Sequence, residues 1–98
     1  MTSRQSIRDL LVEQAAVETA RVWIEEVHRE LVRERREIDG AWPGTLSEAR
    51  ARAGGALRRA VQQRELPGPG PEELERVAQL TTAEARRAWR KVVSRGMT

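Results

Sequence analysis

The side chains best suited to chemistry in this chain are few, and they are poorly placed for it. His28 is the single histidine, and there is no cysteine. Glu25 stands one helical turn before His28, so the two could pair on a helix. A lone His without Cys or a carboxylate cluster cannot complete the usual zinc ligand set. Glu25–Glu26 and Glu72–Glu73 are adjacent in sequence, so each pair diverges on a helix instead of converging on one substrate. The two-Glu/Glu-x-x-His pattern of a di-iron bundle is missing. No hydroxyl lies in a nucleophile motif, and no Gly-rich phosphate loop follows a strand. These residues predict a protein that is not an enzyme and uses no metal, cofactor or small-molecule substrate.

Charge is the other possible chemistry. The net charge of +3 is small, and 17 of the 18 basic residues are Arg, with Lys91 the one lysine. Such a bias follows GC-rich codons and is poor support for nucleic-acid binding by itself. Its distribution says more. Residues 1–44 carry seven basic and nine acidic side chains, and residues 45–98 carry eleven and six. The excess gathers in "ARRAWRKVVSR". There Arg86, Arg87, Arg90, Lys91 and Arg95 would spread over the outer faces of a helix, and phosphate contacts need only such charges. Reading bases would need a helix set by a turn, and "QLTTA" lacks the usual turn glycine. With three Trp and no other aromatic residue, a base-stacking platform is also disfavoured.

These groups must be carried by helices. Ser6 and Asp9 resemble a capping box, and no Gly or Pro follows until Gly40, a natural C′ residue. The sequence therefore predicts a first helix over 6–39, about 50 Å long. Leu10, Val17, Ile24, Leu31 and Ile38 recur every seven residues, with Ala20 and Val27 filling in, which makes a coiled-coil-like seam. Glu13 and Glu34 interrupt it. Val12, Ala16, Val22 and Trp23 lie off that line, so the middle of the helix should meet two neighbours. In "ELVRERREID" some neighbouring charges attract and some repel, as on a solvated face or at the flanking positions of a coiled coil.

A turn over 40–45 leads to a second helix over 46–64, opened by the capping box Thr45–Glu48. Its apolar face is Leu46, Ala49, Ala53, Ala56, Leu57, Ala60 and Val61. Gly54 and Gly55 weaken it by about 1 kcal/mol each against Ala; either close approach to a bulky neighbour such as Trp23 compensates, or the pair marks a local kink. A Pro/Gly connector over 65–71 follows. The last segment, 71–95, has Pro71 at its first helical position. Thr81 and Glu84 form a second T-x-x-E box that would break it near 81–82. Against a break, Leu74, Ala78, Thr81, Ala85, Ala88 and Val92 keep one helical phase throughout. The expectation is a single all-α domain, 1–98: a long helix in a hairpin with a shorter one, plus a C-terminal helix. It is a three-helix bundle, or a four-helix one if 71–95 breaks. No apolar run reaches the length of a membrane span and no signal-peptide core opens the chain, so a cytoplasmic, membrane-free protein is expected.

Trp42-Pro43-Gly44 in the turn resembles the motif of W-x-G helical hairpins, the type VII secretion substrates of Gram-positive and actinobacterial species. That resemblance implies a small bacterial secreted hairpin that pairs side by side. The chain departs from it in Pro67, Pro69 and Pro71, which cut the second helix short, and in having no Tyr for the secretion signal.

A short, Ala-rich second helix would leave the N-terminal half of the first partly uncovered. The favoured function is therefore a non-enzymatic assembly or regulatory module. It would form a homodimer, or bind a helical protein, through Leu10, Val17, Ile24, Val27, Leu31 and Ile38. The alternatives are a small DNA- or RNA-binding regulator using the basic C-terminus and a W-x-G-type secreted hairpin.

Overall fold

The computed structural model describes residues 3–38 and 40–96, with side chains for 7–38 and 40–95. Three helices, α1 (Ser3–Arg33), α2 (Leu46–Gln63) and α3 (Pro71–Gly96), pack in mutual contact as an all-α bundle. Arg8 and Asp9 of α1 meet Glu73 and Arg76 of α3 near one end, and Ile24 and His28 meet Trp89 towards the other. α1 and α3 thus run in the same direction. α2 runs back along α1: Ala49 joins Trp23 in one cluster, and Val61 joins Leu11 and Val12 in another.

Helix boundaries differ from the sequence reading at α1. The helix is already under way at Ser3, so the backbone of Ser6 lies inside it and is no N-cap. It stops at Arg33 instead of reaching 39; Asp39 is outside the described residues. Gly40 is not the C′ residue. That role falls to Arg35, at φ 57°: its N–H donates to the Val32 carbonyl (3.1 Å) and Arg36 N–H to the Leu31 carbonyl (2.9 Å). This is a Schellman ending with a non-glycine residue in the left-handed region. The physical reason lies in the chain that follows. Residues 34–37 are all charged and offer a longer helix nothing to bury. Turning here lets Ile38 and Trp42 fold back onto Val27, Leu31 and Trp89.

The twelve-residue link 34–45 sets how far α2 reaches along the N-terminal half of α1, which stays only partly covered, with Ile7, Leu10 and Val17 exposed. The link returns beside the C-terminal end of α1, so α2 starts level with Trp23 and reaches Leu11. The capping box forms as expected: Thr45 Oγ1 accepts from Glu48 N–H (3.1 Å), and Thr45 N–H donates to Glu48 Oε1 (3.1 Å). Ala49, Ala53, Leu57 and Val61 are buried. α2 ends in a second Schellman turn with Glu65 at φ 56°. There Leu66 N–H donates to the Val61 carbonyl (2.9 Å), and the Leu66 side chain packs against the core.

α3 is one unbroken helix, so the phase argument prevails over the T-x-x-E box. Thr81 does not cap anything. Its hydroxyl donates to the Val77 carbonyl one turn back (2.7 Å), and Thr82 does the same to Ala78 (3.0 Å). That local bond lets two hydroxyls sit buried within a helix. With no turn between two helices in this segment, it has no helix-turn-helix reading geometry.

Trp42 lies between the other two tryptophans, 4.9 Å from the Trp23 ring and 5.4 Å from Trp89, both edge-on. Trp23 and Trp89 are buried. The expected close approach of Gly54 or Gly55 to Trp23 does not occur. Gly54 faces Leu74 and Gly55 faces Arg59, and both have room for a methyl group. The glycine pressed on Trp23 is Gly44.

Candidate functional site

The expected seam of α1 divides in two. Ile24 is 6% exposed and sits with Ala20, Ala85 and Trp89 in an internal cluster. Val27, Leu31 and Ile38 are half-buried against that cluster. These four residues are occupied within the bundle. Leu10 and Val17 are 50% and 51% exposed. Ile7, three residues before Leu10, is also exposed and on the same side of the helix. The seam therefore leaves an apolar flank only along the N-terminal half of α1.

On the other side of α1 lies an open groove of about 740 Å³ against α2. Its floor is Leu11, Ala15 and Thr19 of α1 with Gly55, Ala56 and Ala60 of α2. Val22, 44% exposed, opens onto it. Arg52, Arg59 and Arg64 line the α2 side, and Glu18 the α1 side. Arg52 is held by Glu26 (2.8 Å) and lies 5.2 Å from the Trp23 ring. Sequence reading missed this groove because it needs the pairing of α1 with α2, which no single helix pattern encodes.

Further ion pairs fasten the bundle, two of them forked, alongside the Asp9–Arg76 contact (3.3 Å). Arg8 Nε and Nη2 donate to the two carboxylate oxygens of Glu73 (2.8 and 2.6 Å), and Nη1 donates to the Pro67 carbonyl (2.9 Å). One side chain thus joins α1, the Pro/Gly connector and the first turn of α3. The Arg8 hydrogen bond holds Glu73 below the usual carboxylate range. Arg50 grips Glu75 in the same forked way, with the same effect on Glu75. These pairs span 25 to 65 residues, and nothing in the local sequence marks them.

The basic C-terminal residues Arg86, Arg87, Arg90, Lys91 and Arg95 are all exposed on α3. Arg87 is paired with Glu84 within the helix, and Arg95 has an interaction of its own. His28 is half-buried, its ring 6.4 Å from Trp89 and edge-on. Among the described residues no group of His, Asp and Glu gathers to hold a metal ion, and no helix is long and apolar enough to cross a membrane. In "ELVRERREID" the pairs Glu30–Arg33 and Glu34–Arg36 are exposed, as on a solvated face.

The fold and its surfaces define a small three-helix bundle whose exposed large apolar side chains lie mostly on its longest helix: Ile7, Leu10, Val17, Val22 and Val32, with Leu46 on α2. Compared with known proteins, the chain matches no family model, no curated protein and no solved structure.

Proposed function

We propose that the protein is a non-enzymatic association module whose working surface is the N-terminal flank of α1, and that its partner there is a second copy of the chain. The observation that carries this reading is the contrast between Ile24, sealed inside the bundle, and Leu10 and Val17, each about half exposed on the same heptad line. Isolated exposed apolar residues need no explanation, but neighbours on one helix face favour a partner. In an antiparallel two-fold pair whose axis passes midway between them, Leu10 of one copy would meet Val17 of the other. Such an isologous contact closes at two copies.

The test is molar mass in solution for the wild type and for Leu10→Glu/Val17→Glu. Ile24→Asp is unsuitable, because it would place a charge in the internal cluster and unfold the bundle.

A second reading, contact with nucleic-acid phosphates, is supported by Arg86, Arg90 and Lys91. They stand exposed along the last turns of α3 with no acidic partner among the described residues. Its test is binding to mixed-sequence DNA at low salt, where phosphate contacts give a steep loss of affinity as salt rises.

A further inference from the structure

The α1–α2 groove lies away from the Leu10–Val17 flank and has its own argument. Gly55 sits in the interior of α2, where glycine costs about 1 kcal/mol against alanine. The fold does not require it. A Cβ there would meet only the tip of Arg59, at 3.6 Å, an ordinary contact. Its effect is external: it lowers the groove floor by one methyl group, and the small side chains of Ala15, Ala56 and Ala60 keep more of the floor low. Small residues on two adjacent helices admit a third helix at close range. From Leu11 to Val22 the groove spans about 16 Å, three turns of such a helix.

Charge selects the occupant. Arg52, Arg59 and Arg64 face Glu18 alone among the lining charges. Arg52 is already paired, and Glu18 is paired with Arg21. Arg59 and Arg64 have no acidic partner among the described residues. We infer that this groove docks an amphipathic helix from another protein, its apolar face on Val22, Gly55 and Ala56 and its acidic flank on Arg59 and Arg64. The complex would be a four-helix bundle with the fourth helix supplied in trans.

The experiment uses the full chain and two labelled synthetic peptides of about sixteen residues, enough for four turns. Both carry Leu and Ala at i, i+3, i+4 and i+7; one has Glu and the other Lys at the flanking positions. Fluorescence anisotropy should give micromolar binding for the Glu peptide and at least about tenfold weaker binding for the Lys peptide. Gly55→Leu, which fills the floor, should weaken the Glu peptide by about tenfold or more. Arg59→Glu/Arg64→Glu, confined to exposed positions, should reverse the preference between the two peptides. Leu10→Glu/Val17→Glu should leave peptide binding unchanged, which separates this inference from self-association. Equal affinity for both peptides, no binding at millimolar concentration, or affinity indifferent to the Arg59/Arg64 reversal would overturn it.

Discussion

A side-chain carbon on Gly44 would stand 2.5 Å from Cζ2 of Trp23, closer than such atoms approach in folded proteins. The Trp42 indole nitrogen would be nearly as close, at 2.6 Å. The W-P-G turn is thus explained by packing: its tryptophan fills the space between Trp23 and Trp89, and its glycine leaves room for Trp23. Gly44→Ala must push a buried ring, and over-packing of this kind costs about 1–3 kcal/mol. Gly40→Ala, with nothing within 4 Å of the added carbon, should be nearly neutral. Urea unfolding of the two variants should separate them, and equal midpoints would contradict the packing.

Among the described residues, the two non-glycine residues in the left-handed region, Arg35 and Glu65, both end helices. Arg35→Gly and Glu65→Gly should each stabilise the bundle by about 0.5–1 kcal/mol, because glycine occupies that region without strain. Thermal unfolding checks this. A loss of stability in both would mean that Arg35 and Glu65 are held by contacts stronger than their backbone strain.

The Arg8–Glu73 fork predicts an acid response. The Arg8 hydrogen bond depresses the Glu73 pKa in the folded chain, helped by the Arg8 charge and the Gly70 amide and opposed by burial. A depressed carboxylate stabilises the fold above its unfolded value, about pH 4, and this is lost as pH falls through the lower folded value. At neutral pH Glu73→Gln should cost about 1 kcal/mol, within the range of partly buried ion pairs. Urea midpoints of wild type and variant should converge as pH falls below about 4. A constant gap across that window would remove the pair from the pH response.

Much of the fold was legible in the chain because its signals are local. The Thr45–Glu48 box, Pro71 at a helix start and the unbroken phase from Leu74 to Val92 each lie within a few turns of one helix. The end of α1 was misread because Gly40 was the obvious stop. The actual stop uses Arg35, whose conformation is dictated by the distant gain of seating Trp42 against Trp89. The heptad spacing put Leu10, Val17, Ile24, Leu31 and Ile38 on one line, but only the bundle reveals that Ile24 is buried and Leu31 and Ile38 are half-buried while Leu10 and Val17 stay exposed. The groove, like the Arg8–Glu73 pair, exists only once the helices are assembled.

Thr81 tests the continuity of α3 separately. Its hydroxyl bonds within its own helix, so Thr81→Val removes a bonded donor without leaving Val77 unpaired. The change should stay within about 1 kcal/mol and keep full helicity by circular dichroism. A large loss of helix content would indicate that the segment needs the threonine as a cap.

The central claim, association through the N-terminal flank of α1, is tested most directly by sedimentation velocity of the wild type and of Leu10→Glu/Val17→Glu across micromolar concentrations. The account predicts a concentration-dependent dimer for the wild type. It predicts a folded monomer for the variant, with the helicity of the wild type and a concentration-independent thermal midpoint, since both residues lie outside the core. A wild type that stays monomeric throughout, or a variant that still dimerises, would contradict it.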